Sequence, residues 1–202
     1  MLHKDQNPLF SLGRIAGFPR IIFCALLFIT PLAAYADAWN WHTLPESALT
    51  FRFTQSGSEL EGRFDRFSAA IKLDPAAAEN GTISAIIDTT SINTENANRD
   101  TLLQSPELFD TDRWPQATFT TEEISRQPDG SYMAEATLTI RDVNRPVTLP
   151  FTLDITGDQA VATGALTILR SDFGIGQGQW AGTDIVADQV TIHILIHATR
   201  GS

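Results

Sequence analysis

The chain is poor in cysteine: Cys24 is the only one among 202 residues, and it lies in an apolar segment near the N-terminus. No disulfide can therefore stabilise residues 37–202, and no cysteine nucleophile is available there. A folded domain in that part of the chain must be held together by its hydrophobic core. The segment has the size of one domain and is long enough to bury a full core.

Basic residues are also scarce, with 14 lysines and arginines against 24 aspartates and glutamates. Beyond residue 36 the balance becomes 11 against 23, which is a formal net charge of −12, and Lys72 is the only lysine. A basic stripe that could bind nucleic acid is therefore absent, and an anionic membrane surface would repel the protein.

Long apolar runs are missing as well. Residues 21–32 are nearly all apolar, but they are fewer than the roughly 20 residues that a membrane-spanning helix needs. Three basic residues precede this run, and Ala34-Tyr35-Ala36 follows it. The combination is typical of a secretory signal peptide. We therefore predict that residues 1–36 are cleaved after Ala36 and that residues 37–202 form one exported domain; an uncleaved membrane anchor is the alternative.

No catalytic pattern is evident. The G-x-S-x-G nucleophile elbow is absent, and no motif ties Ser171-Asp172 to a histidine. The glycines of residues 174–178 resemble a phosphate loop, but a strand follows them, whereas a dinucleotide fold requires a helix there. We interpret this segment as a flexible turn at the rim of a barrel. We predict no catalytic residue, although a Ser-His-Asp site assembled in space stays open.

The histidines and acidic pairs do not suggest a metal site. His193 and His197 are four residues apart on the predicted last strand, which separates them by roughly 13 Å at about 3.3 Å per residue. They cannot share one ion, and no pattern links His42 to either of them. Asp110-x-Asp112 lacks the glycine and the terminal glutamate of an EF-hand loop. We predict no metal ligands.

Short runs of alternating apolar and polar residues, by contrast, are abundant. Every second residue is apolar in residues 132–140 and again in residues 147–155. Successive strand side chains point to opposite faces, so each run predicts a strand with one apolar wall. The charged link at residues 141–145 predicts a hairpin connection. Because proline donates no ladder hydrogen bond, we expect a bulge or break near Pro150.

Further runs give a total of eight or nine short strands. They are separated by turn signals such as Asn80-Gly81 and Asp129-Gly130. The additional runs lie at residues 49–54, 71–73, 82–88, 116–124, 159–169 and 185–198. Many short strands at regular spacing are typical of an all-β sandwich or barrel.

One segment interrupts the alternation. Residues 96–103 favour a short helix, with Asn93 or Thr94 as the candidate cap and Ser105-Pro106 as the stop signal. Residues 106–109 are predicted to add a second helical turn. We expect this helical insertion, at about residues 96–109, to cover one end of a barrel as a lid.

Large apolar residues are numerous for a chain without a catalytic pattern. They either fill an ordinary core or, in part, line a cavity. An eight-stranded barrel is just wide enough to be filled by side chains or to hold one small ligand, and the sequence leaves both open. The phenylalanines in strand or strand-end positions are Phe51, Phe53, Phe64, Phe67, Phe119, Phe151 and Phe173.

Seven short motifs follow one another along the chain. They are Gly62-Arg63-Phe64 with Phe67; Ile86-Ile87-Asp88 with Ser91-Ile92; Asn98-Arg99-Asp100 with Leu103, Ser105, Phe109 and Asp110; Trp114-Pro115 with Ala117-Thr118-Phe119; Leu138-Thr139-Ile140-Arg141 with Arg145-Pro146-Val147; Arg170-Ser171-Asp172-Phe173-Gly174; and Asp188-x-Val190. In this order and spacing they resemble the YceI-like, polyisoprenoid-binding family of bacterial periplasmic proteins, over residues 41–198. The chain departs from the family at Glu46-Ser47, where many members carry His-Ser.

The resemblance implies an all-β fold: an eight-stranded antiparallel, lipocalin-like barrel with the short helical insertion. Its pore would hold a polyprenyl lipid or the tail of a ubiquinone-like quinone, and the protein would be a periplasmic carrier or scavenger of that lipid. The head group is expected at the mouth, near Arg99, Asp100, Ser171 and Asp172. The expected pore-lining residues are Phe51, Phe53, Phe64, Phe67, Ile87, Phe119, Leu138, Ile140, Leu149, Phe151, Leu153, Phe173, Trp180, Ile192 and Ile194.

The resemblance also implies a binding protein that is not an enzyme, with no cofactor apart from a bound isoprenoid lipid or quinone. A membrane b-type cytochrome is an expected partner, and a homodimer is a further expectation. Two alternatives stay open. One is an enzyme that modifies a lipid or quinone in the same pore; the other is a filled barrel that serves as a stress-response or interaction module without ligand.

Overall fold

The computed structural model describes residues 39–201, so the predicted signal peptide at residues 1–36 lies outside the described residues. No helix in the described part is long and apolar enough to cross a membrane. The one α-helix of that part is α1 (Ala97–Leu103). The strands are β1 (Asn40–Thr43), β2 (Ala48–Gln55), β3 (Ser58–Phe64), β4 (Phe67–Lys72), β5 (Thr82–Asp88), β6 (Ile92–Asn93), β7 (Gln116–Arg126), β8 (Tyr132–Ile140), β9 (Val143–Thr156), β10 (Gln159–Leu169) and β11 (Val186–Arg200).

The strand pairings are antiparallel and close into a ring. Strands β4, β5, β7, β8, β9, β10 and β11 pair in this order, and β1 pairs with both β4 and β11. The other three strands prolong members of the ring: β2 continues β1 along β11, β3 leads into β4, and β6 continues β5. Counted in this way, eight strands form a closed antiparallel barrel, which confirms the predicted fold.

Ser47 holds the bend between β1 and β2. Residues 44–47 lie opposite only two residues of β11, so the regular ladder is interrupted there. The Ser47 hydroxyl accepts a hydrogen bond from the His197 N–H at 3.0 Å and donates one to the His197 carbonyl at 3.1 Å. A side chain thus replaces the missing ladder bonds where the chain bends.

The hairpin predicted from the alternating pattern is present, with a shorter turn than expected. β8 and β9 pair from Ile140 with Val143 onward, so the turn is Arg141-Asp142 and not the five residues 141–145. Arg141 adopts a φ of 58°, a left-handed conformation of the kind that tight hairpin turns use. The apolar residues of β8 are buried at every second position, as the alternation predicted.

The barrel wall is not paired along its whole length. β9 and β10 pair only from Thr156 with Gln159 to Phe151 with Gly164. The ladder therefore stops at Pro150, which confirms the break expected there, although the β8–β9 register passes Pro150 without a shift. We call the unpaired stretch, residues 143–150 of β9 opposite residues 165–169 of β10, the seam.

Two prolines explain the seam. In an antiparallel pair, the backbone N–H and C=O groups of successive residues point alternately toward one neighbouring strand and the other. Val143, which follows the two-residue turn, bonds to β8. The backbone groups of Asn144, Pro146, Thr148 and Pro150 therefore point away from β8 and toward β10. Pro146 and Pro150 have no N–H to donate. Continuing the ladder would therefore leave carbonyl groups of β10 without partners, and pairing ends instead.

A buried aromatic residue lies beside the seam. Residues 170–173 form a 3-10 turn directly after β10. Phe173 in this turn is only 2% exposed and belongs to the main hydrophobic cluster. With Val147 and Ile168 it borders the groove along the seam.

The connections define two ends of the barrel. At the lid end lie α1, residues 104–115, the 141–142 turn and residues 170–185; the far end carries the connections at residues 73–81, 127–131 and 157–158. The helical insertion is confirmed, but the predicted second helical turn at residues 106–109 is wrong.

The insertion differs from the prediction in its cap as well. Asn96 caps α1 by accepting a hydrogen bond from the Arg99 N–H at 3.1 Å, a role predicted for Asn93 or Thr94. After α1 the chain reverses instead of continuing as a helix. The Phe109 N–H donates to the Leu103 carbonyl at 3.0 Å, and Asp110 has a φ of 50°.

Hydrogen exchange tests the seam. In the β9–β10 register, the same alternation of backbone groups points the N–H groups of Ala165, Thr167 and Leu169 toward the unpaired part of β9. We expect these amides to exchange markedly faster than those of Val161 and Thr163, which face β9 where it is paired. Amide exchange followed by nuclear magnetic resonance measures both sets in one sample. Equal protection of the two sets would show that the ladder continues across the seam.

Candidate functional site

The barrel encloses an apolar cavity of about 260 Å³. Trp41, Leu73 and Ala198 line it at the far end, and Arg99 and Trp180 line it at the lid end. The lining residues of β11 between residues 190 and 198 span about 26 Å along the strand at about 3.3 Å per residue. With the usual strand tilt of about 40°, the cavity is roughly 20 Å long. It is therefore narrow and elongated, and it follows the barrel axis.

The predicted pore-lining residues lie around this cavity with one exception. The structure places fourteen of the fifteen on its lining, and whether they bind a ligand stays a prediction. They are Phe51, Phe53, Phe64, Phe67, Ile87, Phe119, Leu138, Ile140, Leu149, Phe151, Leu153, Trp180, Ile192 and Ile194.

Phe173 does not line the cavity, and its predicted place in the pore is wrong. The sequence indicates a strand-end residue, but Phe173 belongs to the 3-10 turn that follows β10. It is buried in the main hydrophobic cluster, beside the groove along the seam.

Sequence reasoning missed two groups of lining residues. Ile71, Ile83, Val190 and Ile196 share faces with residues that were predicted, so the same alternation could have found them. Leu102, Leu103, Leu108 and Phe109 come from α1 and the turns that follow it. No period-2 pattern marks these four, because their segment folds over the barrel end without being a strand.

Phenylalanines form a cluster at the lid end of the cavity. The ring centroids of Phe51 and Phe64 are 5.4 Å apart, and Phe109 meets Phe64 edge-on at 6.1 Å. Gly62 lies under the Phe51 ring, and a Cβ at this position would collide with it. The lack of a side chain at Gly62 therefore makes room for an aromatic ring in the wall.

Of the four predicted head-group residues, Arg99 alone lines the cavity. Its Nε donates to the Thr94 hydroxyl at 2.8 Å, and its Nη2 donates to the Thr94 carbonyl at 2.7 Å. These bonds hold the guanidinium of α1 at the lid end.

The other three predicted head-group residues lie at the lid end but do not line the cavity, and whether they contact a head group stays a prediction. Asp100 accepts hydrogen bonds from the Thr94 N–H at 2.8 Å and the Thr94 hydroxyl at 2.5 Å. Ser171 donates its hydroxyl to Asp188 at 2.7 Å. Asp172 is exposed and borders the groove along the seam. Their polar side chains stabilise the turns in which they lie.

Asp188 is the anchor for the turn that follows β10. Burial alone would raise the pKa of its carboxyl group. The hydrogen bonds from the Ser171 hydroxyl and N–H, with the positive charge of Arg170, outweigh burial and lower the pKa of Asp188 below its ordinary value. The ionised carboxylate accepts both hydrogen bonds of Ser171, and no histidine takes part in them.

Arg170 is a functional-site residue that sequence reasoning did not single out. It is 5% exposed and lines the cavity. Its guanidinium donates to the carbonyl groups of Ile175 at 2.9 Å, Gly182 at 2.8 Å, Val186 at 3.0 Å and Ala187 at 3.1 Å. One buried side chain thus organises the loop between β10 and β11.

Arg141 does the same for the turns after α1. Its Nη1 donates to the carbonyls of Pro106 at 3.3 Å, Leu108 at 2.5 Å and Gly174 at 3.0 Å. Its guanidinium also lies 4.6 Å from the centre of the Trp114 ring. Both arginines lie in motifs quoted above, yet the sequence does not show that distant carbonyl groups converge on them.

The described residues hold no group of three or more histidine, cysteine, aspartate or glutamate side chains that could bind a metal ion. The polar chemistry of the site is therefore that of hydrogen-bond donors at one end of an apolar cavity.

Comparison with known proteins identifies relatives of the whole domain. Residues 41–198 match the family model described as the YceI-like domain. The crystal structure of Burkholderia cenocepacia BcnA is similar with a TM-score of 0.76 and 34% identity, over 78% of this chain and 99% of that chain. A UPF0312 protein of Yersinia enterocolitica is 33% identical over 62% of this chain; the match spans 65% of that relative, slightly less than two thirds of its length.

A more distant structure shares the fold. It is a polyisoprenoid-binding domain from Saccharophagus degradans, implicated in plant cell wall breakdown, with a TM-score of 0.62 and 17% identity over 82% of this chain and 99% of that chain.

Replacing Arg141 tests how the lid end is held. In Arg141→Lys the ammonium group cannot bridge three carbonyl groups or stack on Trp114 as the planar guanidinium does. We expect a loss of about 1–3 kcal/mol in the free energy of unfolding, measured in urea. The matched control is Arg145→Lys in the same hairpin, because Arg145 is exposed and makes one long bond of 3.4 Å. The control should change stability by less than about 0.5 kcal/mol; equal effects would contradict the role given to Arg141.

Proposed function

The chain belongs to the YceI-like domain family, and we propose that it binds a long isoprenoid lipid along the axis of its barrel. The observation that carries the proposal is the continuous apolar cavity between the far end and the lid end. An apolar chain can make contacts on all sides in such a cavity, whereas a polar solute would find few hydrogen-bond partners there. The Saccharophagus degradans domain that shares the fold is a polyisoprenoid-binding domain.

The hydrophobic effect supplies the affinity. Each buried methylene group is worth about 0.8 kcal/mol, so a tail of several isoprene units can bind without any polar contact. The cavity volume of about 260 Å³ is slightly below the roughly 300–1,000 Å³ of ordinary ligand pockets. We propose that a long tail widens the cavity as it enters, by rotation of the phenylalanines that line it.

The finer features of the function rest on the resemblance. We propose a periplasmic carrier or scavenger whose cargo is a polyprenyl lipid or the tail of a quinone, with its head group near Arg99. A membrane b-type cytochrome as partner and a homodimer stay predictions.

Ligand binding is tested by filling the cavity. Ala69 lines it, whereas the next residue, Ala70, is exposed on the outer face of β4. Ala69→Phe should therefore weaken binding of an added long-chain isoprenoid about tenfold or more, because the ring occupies the space of several methylene groups. Ala70→Phe is the matched control and should bind like the unchanged protein.

The unchanged protein should also carry lipid when it is purified without detergent. Mass spectrometry of its organic extract should find an isoprenoid that is missing from Ala69→Phe. An extract without isoprenoid, together with no binding of an added one, would refute the proposed function.

Export is tested by the mass of the processed protein. We expect the protein from a periplasmic extract to begin at Asp37, because small residues at Ala34 and Ala36 match the requirement of signal peptidase. Ala36→Phe should block this cleavage and leave the full-length chain. Intact-mass spectrometry distinguishes the two forms, and an unprocessed chain without the substitution would contradict the prediction.

A further inference from the structure

Two tryptophans line opposite ends of the cavity, and their indole N–H groups differ. The Trp41 Nε1 at the far end donates to the Leu73 carbonyl at 3.0 Å. The Trp180 Nε1 at the lid end is buried and has no partner among residues 39–201. Buried donors are nearly always paired, so an unpaired one requires an explanation. At the lid end, therefore, one buried hydrogen-bond donor lacks an acceptor.

Hydrogen bonds on both sides of Trp180 fix the loop in which it lies. Arg170 donates to the carbonyls of Ile175 and Gly182 on either side of it, at 2.9 and 2.8 Å. Gly176 has a φ of 97°, and a Cβ there would collide with the Arg170 guanidinium. The Gly176 N–H in turn donates to the Glu107 carbonyl at 2.9 Å. A buried side chain and a glycine thus hold the loop that places Trp180 against the cavity.

The polar lining at this end consists almost entirely of donors. Arg99, Arg170 and Trp180 can donate hydrogen bonds but cannot accept them. No carboxylate lines the cavity within the described residues, and Gln55 is the one side chain at this end that can also accept. Arg99 keeps its Nη1 free of hydrogen bonds within residues 39–201. An oxygen that only accepts complements this lining, whereas a donor-rich head group would find few partners.

We propose that the Trp180 Nε1–H donates a hydrogen bond to an acceptor oxygen in the head group of the bound isoprenoid, beside Arg99. The inference rests on the proposed function and names the class of its ligand: an isoprenoid that ends in an oxygen acceptor. A quinone carbonyl and a phosphate oxygen share this chemistry. Arg170 is a positioning residue, because its own donors are directed to backbone carbonyls.

The indole N–H signals report the bond directly. The chain has four tryptophans, so a ¹⁵N-labelled sample gives four indole signals to assign. Adding ubiquinone or a polyprenyl phosphate should shift the Trp180 signal strongly downfield, while squalene, an isoprenoid hydrocarbon without oxygen, should not produce that shift. The Trp41 signal is the internal control, since its N–H is already bonded. The oxygenated probe that binds more tightly identifies the head group as neutral or anionic.

Trp180→Phe gives the affinity test. It keeps an aromatic ring and removes the donor, so binding of the oxygenated probe should weaken by about three- to tenfold, the usual range for one lost hydrogen bond. Binding of squalene, which has no acceptor oxygen, should weaken less than that, so the preference for the oxygenated probe over squalene should fall. Trp41→Phe is the control; it removes a structural bond and should not alter the preference for oxygenated probes over squalene.

The outcomes separate this inference from the proposed function. If Trp180→Phe leaves the preference for oxygenated probes over squalene unchanged, the role of Trp180 is refuted, while lipid binding stands. If the unchanged protein binds none of the three probes, the proposed function itself is refuted.

Discussion

The pairing of β11 with β10 on one side and with β1 and β2 on the other is the contact on which the rest of the structure depends. Without it, the sheet would have two edges and no interior. Closure turns the period-2 alternation of every strand into an inside and an outside. Ser47 is small but central here, because it lets one strand of the ring bend while it stays attached to β11.

The sequence predicts this interior well and the ends of the barrel poorly. Alternation encodes the face of each strand residue, so Leu138, Leu149 and Ile192 were assigned inward from the sequence alone. The alternating runs predict eight or nine strands, but closure into an eight-stranded barrel came from the family resemblance, since pairing between distant strands leaves no periodic signal. Asp100 and Ser171 are polar, but hydrogen bonds to Thr94 and to Asp188 of β11 use that polarity within the fold. The positions of Arg170 and Trp180 depend on the loop between β10 and β11, which is held by hydrogen bonds to backbone carbonyl groups. Every residue type has a backbone carbonyl group, so the sequence does not mark these partners.

The two ends of the cavity therefore follow different physical rules. The far end is closed by packing and by an indole whose hydrogen bond is satisfied within the fold. The lid end is held by Arg141 and Arg170, whose guanidinium groups donate hydrogen bonds to backbone carbonyl groups. The cavity thus has one end without a free donor and one end lined by donors, so the fold itself makes its two ends chemically different.

The seam has a consequence for association between molecules. Unpaired strand edges are templates on which a strand of another chain can add and start a fibre. In the seam, Pro146 and Pro150 have no N–H to donate, so one edge cannot supply the full set of ladder hydrogen bonds to an incoming strand. The two prolines that end pairing in the wall thus also make its open stretch a poor template for an added strand, in a domain that has no disulfide.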